Sequence, residues 1–149
     1  METDELLQIL HTDKHTGSGF HGVFSRDQFR SALPKLLQAP AFSAVVNTRD
    51  RTHPGEHWVA YYFPTSGSLE CFDSFGLDPQ AYSLPKASKY NSVQVQALAS
   101  THCGLYATYF LLARARGISM PAVVSNFHKQ HLLRNDCLVA QLVYKLLDL

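Results

Sequence analysis

Cys103 lies at the start of a long apolar segment, and Gln96 precedes it by seven residues. The segment from Cys103 to about Arg116 predicts a helix that Gly117 ends at its C′ position. The unpaired N–H groups and the dipole at a helix start favour a thiolate over a thiol. The position therefore suits a nucleophile, although a small buried structural cysteine would give the same pattern.

A histidine and an aspartate are predicted to face each other on a β-hairpin. Its strands are "HWVAYYF" and "LECFDSF", separated by the turn-rich "PTSGS". A turn centred on Thr65 places His57 opposite Asp73, and directly opposed side chains share one face, with Cβ atoms about 4.5–5.5 Å apart. Such a pair is either a structural hydrogen bond or a base with the group that orients it.

These residue types together predict nucleophilic attack by a cysteine on a carbonyl group. The histidine would accept the thiol proton, and the carboxylate behind it would hold its tautomer and orientation. The attack also requires donors for the oxyanion that forms. We predict the backbone N–H of Cys103 and the side-chain amide of Gln96 for this role, with Gln94 as the competing glutamine.

The elements that must position these residues predict an α+β fold in one domain, residues 1–149. Both faces of the hairpin are largely apolar, so its strands should be central and covered on both sides. Further strands are expected at "HGVFS", "AFSAVVNT" and "SVQVQA", and the last of these would carry Gln96. Further helices are expected at "TDELLQILHT", from Arg26 to Leu33 with Pro34 ending it, from Pro121, and after an Asn135 cap.

Composition excludes several classes of protein. The 149 residues are 46% hydrophobic and 17% charged, which suits one globular core. The net charge of +1 gives no overall basic character for nucleic acid, and no apolar run reaches the length of a membrane span. The acidic start "METDELLQIL" does not read as a signal peptide, so an intracellular protein is expected. Three cysteines without a CxxC pair favour free thiols, and neither a metal nor a cofactor is predicted.

The order of these motifs resembles the adenain-like cysteine proteases, the family of the adenovirus maturation protease. The motifs are "VVNT", "GEHWVAYYFP", "ECFDSFG" and "QALASTHCGLYATYFLL". They are more distantly similar to the proteases that remove SUMO-type modifiers. The resemblance implies a papain-like or adenain-like architecture: a small, mostly antiparallel mixed sheet around a buried helix that begins at the nucleophile. It implies that His57, Asp73, Cys103 and Gln96 are catalytic, and that Trp58 is either a substrate contact or a core aromatic residue.

The activity that the resemblance implies is cleavage of viral precursor proteins, with small residues, often glycine, near the cut. An isopeptidase for ubiquitin-like or SUMO-like modifiers is the first alternative, because the C-terminal Gly-Gly tails of such modifiers fit the same cleft. Adenain has glutamate where this chain has Asp73, but the SUMO-type proteases also have aspartate there. The second alternative is an inactive homologue that binds a partner or packs into a virion.

The partners that the resemblance implies begin with a polypeptide substrate. Adenain is stimulated by DNA and by a disulfide-linked peptide, but no cysteine lies between Cys71 and Cys103 to hold such a peptide. The chain is therefore expected to act as a monomer without either activator. Its expected location is the nucleus or cytoplasm of the host cell, or the virion.

Overall fold

The computed structural model of the chain describes residues 3–52 and 56–147, which form a five-stranded sheet flanked by helices. The strands lie side by side in chain order: β1 (Phe20–Phe24), β2 (Phe42–Asn47), β3 (Trp58–Phe63), β4 (Glu70–Phe72) and β5 (Lys89–Tyr90). The β2–β3 and β3–β4 pairings are antiparallel, and the two outer pairings are parallel. The helices are α1 (Thr3–Thr12), α2 (Arg26–Leu36), α3 (Cys103–Ala115), α4 (Met120–Ser125) and α5 (Arg134–Leu147), with a 3₁₀ helix at Pro79–Tyr82.

The central position of β3 is confirmed, and each face of the sheet has its own apolar core. Ala60 and Phe72 face one core, in which α1, α3 and α5 pack. Val59 and Tyr61 face the other, which Phe29 of α2 helps to fill. Neighbouring residues of β3 point to opposite faces of the sheet, and each face is covered by an apolar core. Residues at both kinds of position in the strand are therefore apolar. The predicted α+β architecture is therefore confirmed.

Helix α3 runs through the larger core and is buried on almost every side. Its Phe110 ring stacks on Phe72 of β4 with ring centroids 4.9 Å apart. The helix ends as predicted, because Gly117 adopts a φ of +82° that favours glycine at C′. Burial of the whole helix gives its first residue, Cys103, a fixed position against the sheet.

The hairpin of β3 and β4 is confirmed, but its predicted register is wrong by two residues. Ala60 lies opposite Phe72, which centres the connection on Ser66 rather than Thr65. The side-chain period of a strand is two, so this shift leaves His57 and Asp73 on the same face. The two residues are diagonal neighbours just beyond the strand ends, not a directly opposed pair.

Three other predictions about elements are wrong. "SVQVQA" is not a strand, because the N–H groups of Val95 and Gln96 both donate to the carbonyl of Ser74 instead of joining a ladder. Pro34 does not end α2, which continues to Leu36. Asn135 is not a cap, because it lies inside α5, where its buried amide bonds to the backbone of residues 95 and 128.

Candidate active site

A buried histidine–aspartate pair lies at the open end of the β3–β4 hairpin. His57 Nε2 is 2.6 Å from Asp73 Oδ1, and the two residues are 5% and 1% exposed. The same carboxylate accepts the N–H groups of Phe75 and Leu77 at 3.0 and 3.2 Å and the Tyr82 hydroxyl at 2.6 Å. Burial by itself would raise the pKa of Asp73, but these donors, His57 foremost, outweigh it and lower that pKa. Asp73 is therefore held as a carboxylate.

The turn after Asp73 explains the glycine of "FDSFG". The N–H of Gly76 donates to the Asp73 carbonyl at 2.8 Å, and Gly76 has a φ of +76°. A Cβ there would lie 2.7 Å from backbone atoms of Val93 and Gln94. Only glycine fits both the conformation and the contact. The turn thus brings the segment that contains Gln96 against the segment that contains Asp73.

Cys103, 8% exposed, begins α3 with its sulfur within hydrogen-bond reach of His57. Because Nε2 of His57 is bonded to Asp73, Nδ1 is the ring nitrogen left for the sulfur. Burial alone would raise the pKa of Cys103, but the interactions with His57 and with the backbone of Trp58 and Gly104 outweigh it and lower that pKa. Burial alone would lower the pKa of His57, but Asp73 and Cys103 raise it to about 9. Both shifts favour the charged forms, the Cys103 thiolate and the His57 imidazolium.

Two aromatic rings hold the imidazole, and sequence reasoning assigned a role to neither. Phe75 stacks on His57 with ring centroids 4.4 Å apart and an interplanar angle of 20°. Tyr82, whose hydroxyl bonds to Asp73, lies 5.8 Å away on a tilted plane. Phe75 belongs to the "FDSFG" motif, whereas Tyr82 lies in the 3₁₀ helix Pro79–Tyr82, where no periodic pattern signals it.

Gln96 is fully buried and lines the same cleft as Cys103. Its Oε1 accepts the hydroxyl of Ser74, and its Nε2 donates to the carbonyl and hydroxyl oxygens of Ser100 at 3.1 and 3.2 Å. Gln94 instead donates its side-chain amide to the Gln96 carbonyl, and it is not among the described residues that line the cleft. Of the two glutamines, Gln96 is thus the one that lines the cleft together with Cys103.

The cleft has a volume of about 760 Å³ and also receives Trp58. Trp58 is half-buried and packs partly against the core beneath the sheet, so it contributes to both the cleft and the core. Its backbone, to which the sequence pattern assigned no role, also helps to lower the pKa of Cys103. An Arg49–Glu56 ion pair lies at the rim.

Within residues 3–52 and 56–147, no group of three or more histidine, cysteine or acidic side chains could hold a metal ion. In the same ranges, no helix has both the length and the apolar character that crossing a membrane requires.

We predict that Cys103 is the most alkylation-sensitive of the three thiols. All three are free; burial raises the pKa of Cys71 well above its ordinary value, whereas the pKa of Cys103 is lowered. Mass spectrometry after limiting iodoacetamide at neutral pH measures the order of modification. Cys137 is exposed, so a Cys137→Ser variant serves as the control. Preferential modification of Cys71 or Cys137 in the unmodified chain would contradict the prediction.

Comparison with curated proteins finds two viral proteases. The chain is 30% identical over 142 residues to the protease of fowl adenovirus A serotype 1, covering 80% of this chain and 66% of that protein. It is 25% identical over 123 residues to the cysteine protease S273R of African swine fever virus, covering 69% of this chain and 45% of that protein. The chain therefore spans about two thirds of the first relative and under half of the second.

Solved structures support the fold. The crystal structure of the African swine fever virus pS273R protease matches with a TM-score of 0.53 at 18% identity, covering 84% of this chain and 62% of that one. The central domain of Lpg1148 from Legionella pneumophila matches with a TM-score of 0.52 at 14% identity, covering 100% and 99% of the two chains. No protein-family model matches the chain.

Proposed function

Because this chain belongs to the adenain-like family of cysteine proteases, we propose that it is an endopeptidase that cleaves viral precursor proteins by Cys–His–Asp catalysis. The observation that carries the proposal is the buried His57–Asp73 pair, with a cysteine at a helix start lining the same cleft as His57. Such processing would take place inside an infected cell or in the virion. Its substrates are polypeptides, as the relatives' names as proteases imply.

In the proposed mechanism, the Cys103 thiolate attacks the carbonyl carbon of the scissile peptide bond. A carbon–sulfur bond forms and the carbonyl electron pair moves onto oxygen. The His57 imidazolium then gives its proton to the amine leaving group as the carbon–nitrogen bond breaks. Water, deprotonated by His57, hydrolyses the thioester and restores the thiolate. Asp73 orients the ring and stabilises its charged form throughout.

The developing oxyanion would be stabilised by the Cys103 N–H and by Nε2 of Gln96. Oε1 of Gln96 accepts a hydrogen bond from Ser74, so the donor end of the amide group, Nε2, points toward Ser100, which lines the cleft. An amide nitrogen carries two protons. The proposed role requires that one proton serves both oxygens of Ser100 in a bifurcated bond, so that the other proton is available for the oxyanion.

Cleavage at glycine-containing sites is the specificity that we propose. Trp58 and Tyr82 both line the cleft beside His57, and bulky rings near a nucleophile leave room for a narrow segment of substrate. Purified protein would be assayed on glycine-containing peptides and, in parallel, on a ubiquitin-like modifier joined to lysine. Faster cleavage of the peptides supports the endopeptidase. Faster release of the modifier supports the isopeptidase alternative, and turnover of neither supports the inactive homologue.

We predict turnover by the isolated protein without DNA or an activating peptide. An activator is needed when the fold alone does not hold the catalytic groups in place. The segment that contains Ala81, Tyr82 and Ser83 lines the cleft, and two hydrogen bonds from other elements hold this part of the chain. Arg26 donates to the Tyr82 carbonyl at 3.0 Å, and the Tyr61 hydroxyl donates to the Pro85 carbonyl at 2.6 Å.

Assays of the protein alone, with DNA, and with virion extract measure this independence. Similar rates in all three are expected. Strong turnover only after an addition would show that the cleft is completed by a partner.

A further inference from the structure

The carboxylate of Asp136, in the first turn of α5, contacts three side chains that surround Cys103 in sequence. Its Oδ1 accepts the hydroxyls of Ser100 at 2.9 Å and Tyr106 at 2.8 Å, and its Oδ2 lies 3.3 Å from His102 Nδ1. The contacts join a helix near the end of the chain to the loop that leads into the nucleophile.

Ser100 is the centre of this network because its hydroxyl has one proton and two acceptor positions. The proton goes to Asp136, since a carboxylate can only accept. The lone pairs of Ser100 Oγ then face the Gln96 Nε2 at 3.2 Å and the His102 N–H at 3.2 Å. Asp136 thus determines that Ser100 acts as an acceptor toward Gln96.

Gln96 is thereby held at both ends of its amide group. Ser74 donates to the oxygen end, and Ser100 accepts from the nitrogen end. The loop between Gln96 and Cys103 has neither helix nor strand to stiffen it; its internal backbone bond runs from the Ser100 N–H to the Ala97 carbonyl. At the nitrogen end, Asp136 acts on one of the two contacts, the one with the Ser100 hydroxyl, and the Ser100 carbonyl supplies the other.

We propose that Asp136 is a positioning residue that sets the oxyanion donor of Gln96 through the Ser100 hydroxyl. The inference rests on the proposed protease function and deepens it. Asp136 takes no part in proton transfer, because its partners do not include His57 or the sulfur of Cys103. Its effect falls on the stabilisation of the tetrahedral intermediate alone.

The test compares Asp136→Ala and Ser100→Ala with the wild-type protein in steady-state peptide cleavage. Loss of an oxyanion donor costs about 10²–10³-fold in kcat. Misplacing the donor should cost less, so we expect roughly a 10–100-fold fall in kcat with little change in KM for both variants. Iodoacetamide alkylation of Cys103 forms no oxyanion, so its rate should not change.

Tyr106→Phe and Asp136→Asn are the matched controls. Tyr106→Phe removes another hydrogen bond of Asp136 but leaves the Ser100 contact intact, so it should lower thermal stability and keep kcat. Asp136→Asn retains an acceptor oxygen for Ser100 and should recover most of the activity lost in Asp136→Ala. These variants also keep the test open should Asp136→Ala fail to fold.

A double-mutant cycle with Gln96→Ala decides whether Asp136 acts through Gln96. With the amide absent, Asp136→Ala should cause no further fall in kcat. Fully multiplicative losses, a wild-type kcat in Asp136→Ala, or an equal loss in Tyr106→Phe would each overturn the inference. In those cases, a fall in kcat in the single variant Gln96→Ala would still support the proposed function. Absence of turnover by the wild-type protein would overturn both.

Discussion

Replacing Cys103 with alanine should abolish peptide cleavage, with kcat falling by about 10⁴-fold or more, as for other nucleophiles of this type. No other described thiol can substitute. Cys71 is buried in the opposite core, and Cys137 lies exposed on α5. The fold should survive, because alanine fits at the start of α3 and removes only the sulfur. Turnover and melting temperature are measured on the same preparations, with Cys137→Ala as the control that keeps full activity.

The same variant should change the titration of His57. The sulfur of Cys103 helps to raise the pKa of His57 to about 9, so its removal should move that pKa downward. NMR titration of the imidazole measures the shift. Retained cleavage in Cys103→Ala, or an unmoved His57 pKa, would show that the cysteine is not the nucleophile paired with this histidine.

Replacing Asp73 with asparagine should reduce turnover by roughly 10²–10⁴-fold, following other triads. The carboxylate accepts from His57, and an amide in its place can present a donor to Nε2 and so favour the wrong tautomer. Tyr82→Phe is the matched control, since it removes one donor to Asp73 and leaves the His57 contact intact. It should cost much less activity than Asp73→Asn.

The pH profile separates an orienting role from a structural one. Asp73 raises the pKa of His57, so Asp73→Asn should move the alkaline limb of kcat/KM, near pH 9 in the wild type, to lower pH. In the wild type the ion pair forms above the lowered pKa of Cys103 and is lost as pH rises through the pKa of His57. A variant with a lower melting temperature but an unmoved alkaline limb and normal turnover would indicate that the pair is only structural.

The sequence alone was enough to predict that Cys103, His57 and Asp73 belong to one candidate site. Each depends on a local rule: Cys103 begins an apolar helix, and His57 and Asp73 share a face because strand positions alternate with a period of two. That parity made the prediction tolerant of the register error, since a shift of two residues preserves the face. The central position of β3 was predictable from the same alternation. Its residues are apolar on both faces, so both faces must be covered.

Only the tertiary structure decided how the remaining groups are held. Gln96 lies on no strand, because its N–H pairs with Ser74 across the turn that Gly76 permits. Tyr82 reaches Asp73 from a stretch without periodicity, and Asp136 reaches Ser100 from 36 residues away in the chain. Helix and strand periods report only which way a side chain points from its own element. Contacts between a loop and a distant element depend on how the two cores pack around the sheet, and no local pattern encodes that.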